Sequence, residues 1–188
     1  LVPCFRSARF LERSVRSALA QTVADLEVVV VDNASDDATW AVAQRLAYED
    51  PRVRISRNES NLGPVRNWRR CAELARGRYA ALLFSDDWYE PSFLAEALPL
   101  LQQDAGVGFA YSTVRVVFED AELRPSGQQV SYRLDGPAVH PASDFLAEIF
   151  EIQLRDLFGM TRCIVVVFFH DWRNPIDMLR CFMLIFYR

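Results

Sequence analysis

An apolar run, Tyr79 to Phe84, leads straight into Ser85-Asp86-Asp87 and then, past Trp88-Tyr89-Glu90, into Pro91. A continuous apolar run bounded by turn residues is the pattern of a buried parallel strand. Two adjacent carboxylates at its end are costly to enclose unless positive charge meets them. In open α/β sheets that end of the strands is where ligands bind. A second run, Leu26 to Val31, has the same design and ends in Asp32-Asn33-Ala34-Ser35-Asp36-Asp37. The plainer alternative for Asp86 or Asp87 is a solvated turn that caps a helix opened by Pro91.

Taken in order, the first hundred residues alternate strand and helix. Leu1-Val2-Pro3 reads as the end of a strand whose start is missing, and Pro3 stops it because proline cannot donate to a central ladder. Ser7 to Ala20 carries Phe10, Leu11, Val15, Ala18 and Leu19 on one helical face. After the Leu26–Val31 strand, Ser35 is a good N-cap, with Asp36 and Asp37 at the positive end of a helix that runs to about Tyr48. Pro51 breaks that helix and Val53-Arg54-Ile55 is a short strand. The segment RNESNLGP, Arg57 to Pro64, is a loop. Pro64 opens a helix that points Val65, Trp68, Cys71, Ala72 and Ala75 inward, and Gly77 is placed to close it. The last helix of this half runs from Pro91 to about Leu101.

The second half changes character. Val107 to Phe118 reads as one or two strands, and Gln129 to Leu134 as another, antiparallel by its short connection. Pro141 to Ile152 reads as a helix, Cys163 to His170 is strand-like, and the run from Pro175 to Phe186 is compatible with helix or strand. The alternation over 1–101 predicts an α/β fold: a mainly parallel central sheet, helices on both faces, and a small antiparallel C-terminal part.

Composition narrows the function classes. A chain of 188 residues, 51% hydrophobic, can bury a core as one domain. A net charge of -4 with both signs interspersed argues against a nucleic-acid partner. Cys4, Cys71, Cys163 and Cys181 form no zinc spacing and read as reduced core cysteines of a cytosolic protein. No stretch approaches the ~20 apolar residues of a membrane span, and no targeting segment is recognisable. No G-x-G-x-x-G follows a strand, which disfavours a dinucleotide-dependent oxidoreductase. His140 and His170 stand in no partner pattern.

Three segments in order, PCFRSARFLERSVRSALAQT, LEVVVVDNASDDAT and NLGPVRNWRRCAELARGRYAALLFSDDWYEP, resemble the family 2 inverting glycosyltransferases of the GT-A fold. The resemblance is close over residues 1 to about 112. It implies a Rossmann-like GT-A sandwich, with a nucleotide-sugar-binding half over 1–101 and an acceptor-side half over 102–188 that looks incomplete. It implies transfer of a sugar from a nucleotide diphosphate donor to a hydroxyl of a glycan or lipid-linked acceptor, with Mg²⁺ or Mn²⁺. A cation clamped on the diphosphate stabilises the charge that develops as the glycosidic bond breaks. Asp86 and Asp87 are its candidate ligands, since hard cations take oxygen donors. Pro3, Phe5, Asp32, Asn33, Arg66 and Asp86 are carried over as donor-binding residues, and Arg57 is a weaker candidate for the diphosphate. Trp88 and Tyr89 are candidates for the acceptor cleft.

Two departures from the family pattern matter. Phe84 stands where the family often has an aspartate, so a metal site rests on Asp86 and Asp87. Asn33 stands where a second aspartate commonly reads the base, and an amide offers a donor as well as an acceptor. The catalytic base that inversion requires is matched best by Asp177 in RNPIDMLRCF, with Asp171 and Asp156 next. The expected setting is surface polysaccharide or glycan synthesis in the cytoplasm, with peripheral association at the inner membrane face compatible. The alternative is a non-catalytic GT-A-like domain that binds a nucleotide or partner without transfer. Donor, acceptor and oligomeric state are not legible.

Overall fold

A computed structural model describes residues 1–103, 109–110, 114–116, 130–132 and 168–170. The chain divides into two compact units, Leu1–Ala110 with Val166–Met178, and Tyr111–Val165 with Leu179–Arg188. In the first unit the elements are β1 (Val2–Cys4), α1 (Leu11–Leu19), β2 (Val28–Asp32), α2 (Thr39–Glu49), β3 (Val53–Arg57), α3 (Pro64–Leu74), β4 (Tyr79–Ala81), α4 (Phe93–Gln103) and β5 (Phe109–Ala110). The strand-helix alternation expected over the first hundred residues is present. In the second unit, β6 (Val114–Val116) and β7 (Val130–Tyr132) pair antiparallel. A last strand, β8 (Phe168–His170), returns to the first unit, between β4 and β5 and antiparallel to both.

β1, β2 and β3 form a parallel sheet with β2 in the middle. β2 is a run of valines, and alternate side chains serve opposite faces. Val28 and Val30 join Val2, Leu11, Val15, Ala43 and Leu46 under α1 and α2. Val29 and Val31 join Cys71 beneath α3. Burial on both faces explains why this strand is continuously apolar rather than alternating. Each fully buried valine or leucine contributes about 1.5–3 kcal/mol. α1 buries Leu11, Ser14, Val15 and Ala18, the spacing of one helical stripe. It starts at Leu11 rather than Ser7, because Ser7–Phe10 forms a turn closed on the Ser7 carbonyl. α3 buries Trp68, Cys71 and Ala72 as expected, but Val65 is exposed.

Pro3 departs from expectation: it lies inside β1, opposite Val31. The Leu1 nitrogen donates to the Ala81 carbonyl at 2.6 Å, and the Leu83 N–H donates to the Leu1 carbonyl at 2.9 Å. Those two bonds are a parallel ladder between Leu1 and the segment after β4. Backbone groups alternate sides along a strand, so Pro3 turns its missing N–H toward that same segment. The ladder with β1 has no Pro3 donor beyond Leu83; β4 itself, paired with β8, spans Tyr79–Ala81 and does not reach Phe84. Pro3 is tolerated centrally because its other neighbour, β2, is met by the groups of Val2 and Cys4.

Two helix-end assignments are also corrected. Ser35 does not cap α2; its side chain is engaged by Asp32 and by the Arg6 N–H. Asp37 accepts the Thr39 N–H at 3.0 Å instead. Gly77 does not close α3, whose last turn ends at Ala75 in extended conformation. The expected helix over Pro141–Ile152 and the run from Pro175 to Phe186 lie outside the described residues.

Candidate functional site

β1, β2 and the segment after β4 run parallel, with β1 between the other two. Their carboxyl ends, Cys4–Phe5, Asp32–Asn33 and Ser85–Asp87, therefore emerge at one edge. Two residues there adopt left-handed backbone, Arg6 at φ 50° and Ala34 at φ 60°. Left-handed non-glycine residues are uncommon and mark tight turns. The turn at Ala34 folds Ser35 back so that its N–H and hydroxyl both donate to Asp32. Arg6 sets its guanidinium on Asp36 through two bonds of 2.7 and 2.6 Å. Asp36 is held below the usual carboxylate range by that hydrogen-bonded partner.

Asp32 has no exposed surface. Arg57 Nε lies 3.0 Å from its carboxylate, and Arg57 also donates to the Ser35 carbonyl at 2.6 Å. Both residues were expected to meet the donor. Asp32 lies wholly inside the turn and Arg57 against it, with the guanidinium 5.6 Å from the Trp40 ring centre.

Beside this turn is a cleft of about 310 Å³ lined by Pro3, Cys4, Phe5, Asn33, Asn61, Pro64, Asn67 and Trp68. Phe5 is 40% exposed, so it serves the cleft wall rather than the core. Asn33 is buried and its amide is enclosed by the loop before α3. Its Oδ1 accepts from Asn58 Nδ2 and the Leu62 N–H, each at 2.9 Å. Its Nδ2 donates to Asn61 Oδ1 at 2.9 Å and to the Gly63 carbonyl at 3.3 Å. Asn58 Nδ2 also donates to Asn67 Oδ1, and Asn67 Nδ2 to the Val31 carbonyl. Arg66, in the first turn of α3, is exposed and has no ion-pair or hydrogen-bond partner among the described residues.

The third strand end is tied to the first through Ser7 and Ser85, whose hydroxyls are 2.7 Å apart. The Ser7 N–H donates to Thr39 Oγ1. The Asp87 N–H closes a turn on the Phe84 carbonyl, and Ser14 donates its hydroxyl to the Asp87 carbonyl. The Asp86 side chain is exposed, and Asp87 is half-buried. Phe84 packs edge-on to Trp68 with ring centres 5.6 Å apart, so it backs the cleft wall. Tyr89 is a core residue stacked on Phe93, which removes it from the acceptor-cleft candidates. Burial holds its phenol well above the ordinary range. Trp88 is capped by the Arg13 guanidinium at 4.2 Å.

Sequence reasoning missed Cys4, Asn61, Pro64, Asn67 and Trp68 as lining residues. The legible signal was three asparagines, 58, 61 and 67, around a Gly-Pro turn, since asparagine side chains readily bind nearby backbone. Cys4 and Cys71 are free and buried, and burial pushes the Cys71 thiol up to about 12, so neither is a nucleophile. No three His, Cys, Asp or Glu side chains cluster as a metal site among the described residues. Asp177, Asp171, Asp156, Cys163 and Cys181 lie outside them.

The model of the family described as glycosyl transferase family 2 matches residues 1–160. The chondroitin synthase of Escherichia coli is 33% identical over 127 residues, which is 67% of this chain and 18% of that protein. The succinoglycan biosynthesis protein ExoO of Rhizobium meliloti is 38% identical over 132 residues, 65% of this chain and 37% of that protein. Among solved structures, the mannosyltransferase PcManGT from Pyrobaculum calidifontis, in complex with GDP-Man and Mn²⁺, aligns with TM-score 0.54 and 26% identity, over 57% of this chain and 32% of that one. TarS of S. aureus in complex with UDP-GlcNAc aligns with TM-score 0.50 and 25% identity, over 54% and 30%. The chain thus spans well under half the length of each.

Proposed function

The chain belongs to glycosyl transferase family 2 and has the GT-A fold, and from that premise we propose that it transfers a sugar, with inversion, from a nucleotide diphosphate donor to an acceptor hydroxyl. The observation that carries the reading is the convergence at one sheet edge of the cleft and the Ser85–Asp87 turn. The base and ribose enter between Phe5 and the Asn61–Trp68 wall, where Pro3 and Cys4 of β1 also line the cleft. Arg66, a cation without a protein partner among the described residues, meets the diphosphate.

The donor set at the turn suits a hard cation. Mg²⁺ typically takes one or two carboxylates and completes its shell with phosphate oxygens and water. Asp86, exposed, and Asp87, half-buried on a turn pinned by Ser14 and Phe84, supply that number of carboxylates. Asp86 and Asp87 would hold Mg²⁺ or Mn²⁺ there, and the ion would supply positive charge against that of the departing diphosphate. Phe84 adds no ligand; its ring supports Trp68 instead. Asp32 acts through the turn it builds, by fixing where Asn33 and Ser35 stand. Asp177 is the proposed base that takes the proton from the acceptor hydroxyl.

The synthases and biosynthesis proteins similar to this chain motivate a glycan or lipid-linked acceptor and a role in surface polysaccharide synthesis. No described helix is long and apolar enough to cross a membrane. We place the reaction in the cytoplasm, at the inner membrane face. Titration calorimetry with UDP and GDP, with Mn²⁺ or with chelator, tests the site. Wild type binds one of them more tightly with Mn²⁺, and Asp87→Ala abolishes that gain while staying folded. Equal affinity in metal and chelator removes the cation from the proposal. No binding of either nucleotide favours the non-catalytic alternative, for which Phe84 at a position often acidic is the motive.

A further inference from the structure

We propose that Asn33 is a positioning residue: its side-chain amide latches the 58–63 loop onto the end of β2 and so builds one wall of the nucleotide cleft before any ligand arrives. This rests on the nucleotide-binding reading of the cleft. It replaces the expectation that Asn33 reads the base.

The first support is saturation. A side-chain amide has two N–H donors and two acceptor lone pairs. In Asn33 all four are used: the acceptors by Asn58 Nδ2 and the Leu62 N–H, the donors by Asn61 Oδ1 and the Gly63 carbonyl. Asn33 is 3% exposed. A base could reach this amide only by displacing a bond already made.

The second support is polarity. Amide oxygen and nitrogen look alike, so their assignment depends on their partners. Here backbone groups settle it. The Leu62 N–H meets only an oxygen, and the Gly63 carbonyl meets only a donor. The Gly63 N–H donates to Asn61 Oδ1 at 2.8 Å, which orients that amide too. The Val31 carbonyl orients Asn67 in the same way. Reversing Asn33, Asn61 or Asn67 breaks a bond to backbone, and reversing Asn58 breaks its bonds to Asn33 and Asn67, so the network has one arrangement.

The consequence is preorganisation. Asn61 and Asn67 line the cleft and Pro64 begins the helix behind it. Without the latch the loop must be ordered when ligand binds, which weakens affinity for every base alike. Aspartate at this position keeps the acceptors and loses the donors. Its carboxylate faces two carbonyl-type oxygens, and Asn61 relieves one contact only by rotating its Oδ1 away from the Gly63 N–H.

Amide hydrogen exchange by NMR, with nucleotide affinities measured in parallel, tests this. In Asn33→Ala the Leu62 amide exchanges faster by about tenfold to a hundredfold. In Asn33→Asp the Leu62 amide keeps its protection while the Gly63 amide loses it. Affinities for UDP, GDP, CDP and ADP fall by a common factor in both. Asn61→Ala, on an exposed side chain, is the check if either Asn33 variant fails to fold, and it exposes the Gly63 amide. Unchanged protection of Leu62 in Asn33→Ala overturns the latch, as does a new ranking among the nucleotides with the loop amides still protected. If wild type binds no nucleotide, the proposed function falls, and the exchange data alone decide the latch.

Discussion

Asp32 and Arg57 offer a quantitative test of the strand-end turn. Asp32 is fully enclosed, whereas the Arg57 side chain is 41% exposed, with 3.0 Å between Nε and the carboxylate. Removing one partner of a buried pair typically costs about 3–5 kcal/mol, because a charge is left enclosed. In Arg57→Ala the Asp32 carboxylate keeps the Ser35 N–H and hydroxyl, and the pair already touches water on the arginine side. We therefore expect a cost around or just below the lower end of that range, about 2–4 kcal/mol. Asp32→Ala costs a similar amount by another route: it strands the buried Ser35 N–H, while Arg57 turns to solvent. The double variant should cost less than the sum by about 1–3 kcal/mol, since each change removes the other's partner. Urea unfolding reads this directly. With a slope of about 2 kcal/mol per molar, a loss of 3 kcal/mol lowers the midpoint by about 1.5 M. An Arg57→Ala cost below about 1 kcal/mol, or additivity within about 0.5 kcal/mol, would show that the turn does not depend on the pair.

Two further outcomes follow from the same structure. Gly63 has φ 79° and ψ 166° with open space where a Cβ would sit, a backbone region reserved almost wholly for glycine, so Gly63→Ala should lower stability by about 1–3 kcal/mol in urea unfolding despite meeting no atom. Glu12, bonded to Arg45 and Arg16, has its carboxyl lowered to about 2; a depressed folded value contributes stability above the unfolded value of about 4.3 that is lost as pH falls toward 2, so the wild-type urea midpoint should drop more steeply than that of Glu12→Gln between those limits.

Much of the first unit was legible because its signals are local. LEVVVV could only be a strand buried on both faces, and the stripe Leu11, Val15, Ala18 could only be one side of a helix. Pro64 at the start of α3 followed from its missing N–H. What was misread depends on partners distant in sequence. Pro3 seemed to end β1 because nothing local shows which neighbour its missing N–H would face. Ser35 looked like an N-cap, but Asp32, three residues earlier, and Arg6 from another strand end claim its side chain. The four partners of Asn33 lie 25 to 30 residues away, so its neighbours in the sequence do not show them. Asp86 and Asp87 follow the end of the parallel segment beside β1, although β4 itself stops at Ala81 rather than Phe84.

The acidic residues at the two strand ends differ in what their environment permits. Asp32 is closed off from solvent, and Ser35 and Arg57 already satisfy it. A ligand drawing on that carboxylate would have to break charged hydrogen bonds, each worth about 1.5–3 kcal/mol, and would unmake the turn that presents Asn33. Asp86 faces solvent on a segment held from below, by Ser7 against Ser85 and by Ser14 against the Asp87 carbonyl. A cation arriving with its own phosphate oxygens needs a carboxylate whose geometry is fixed by backbone and whose oxygens are reachable. Asp86 meets both conditions, Asp87 offers only part of its carboxylate because its Oδ2 is enclosed, and Asp32 meets only the first. Hence substitutions at Asp32 and Asn33 should act on the shape of the cleft for every nucleotide, and those at Asp86 and Asp87 on its dependence on metal. On the proposed function, that division assigns building the site to one strand end and charge neutralisation to the other.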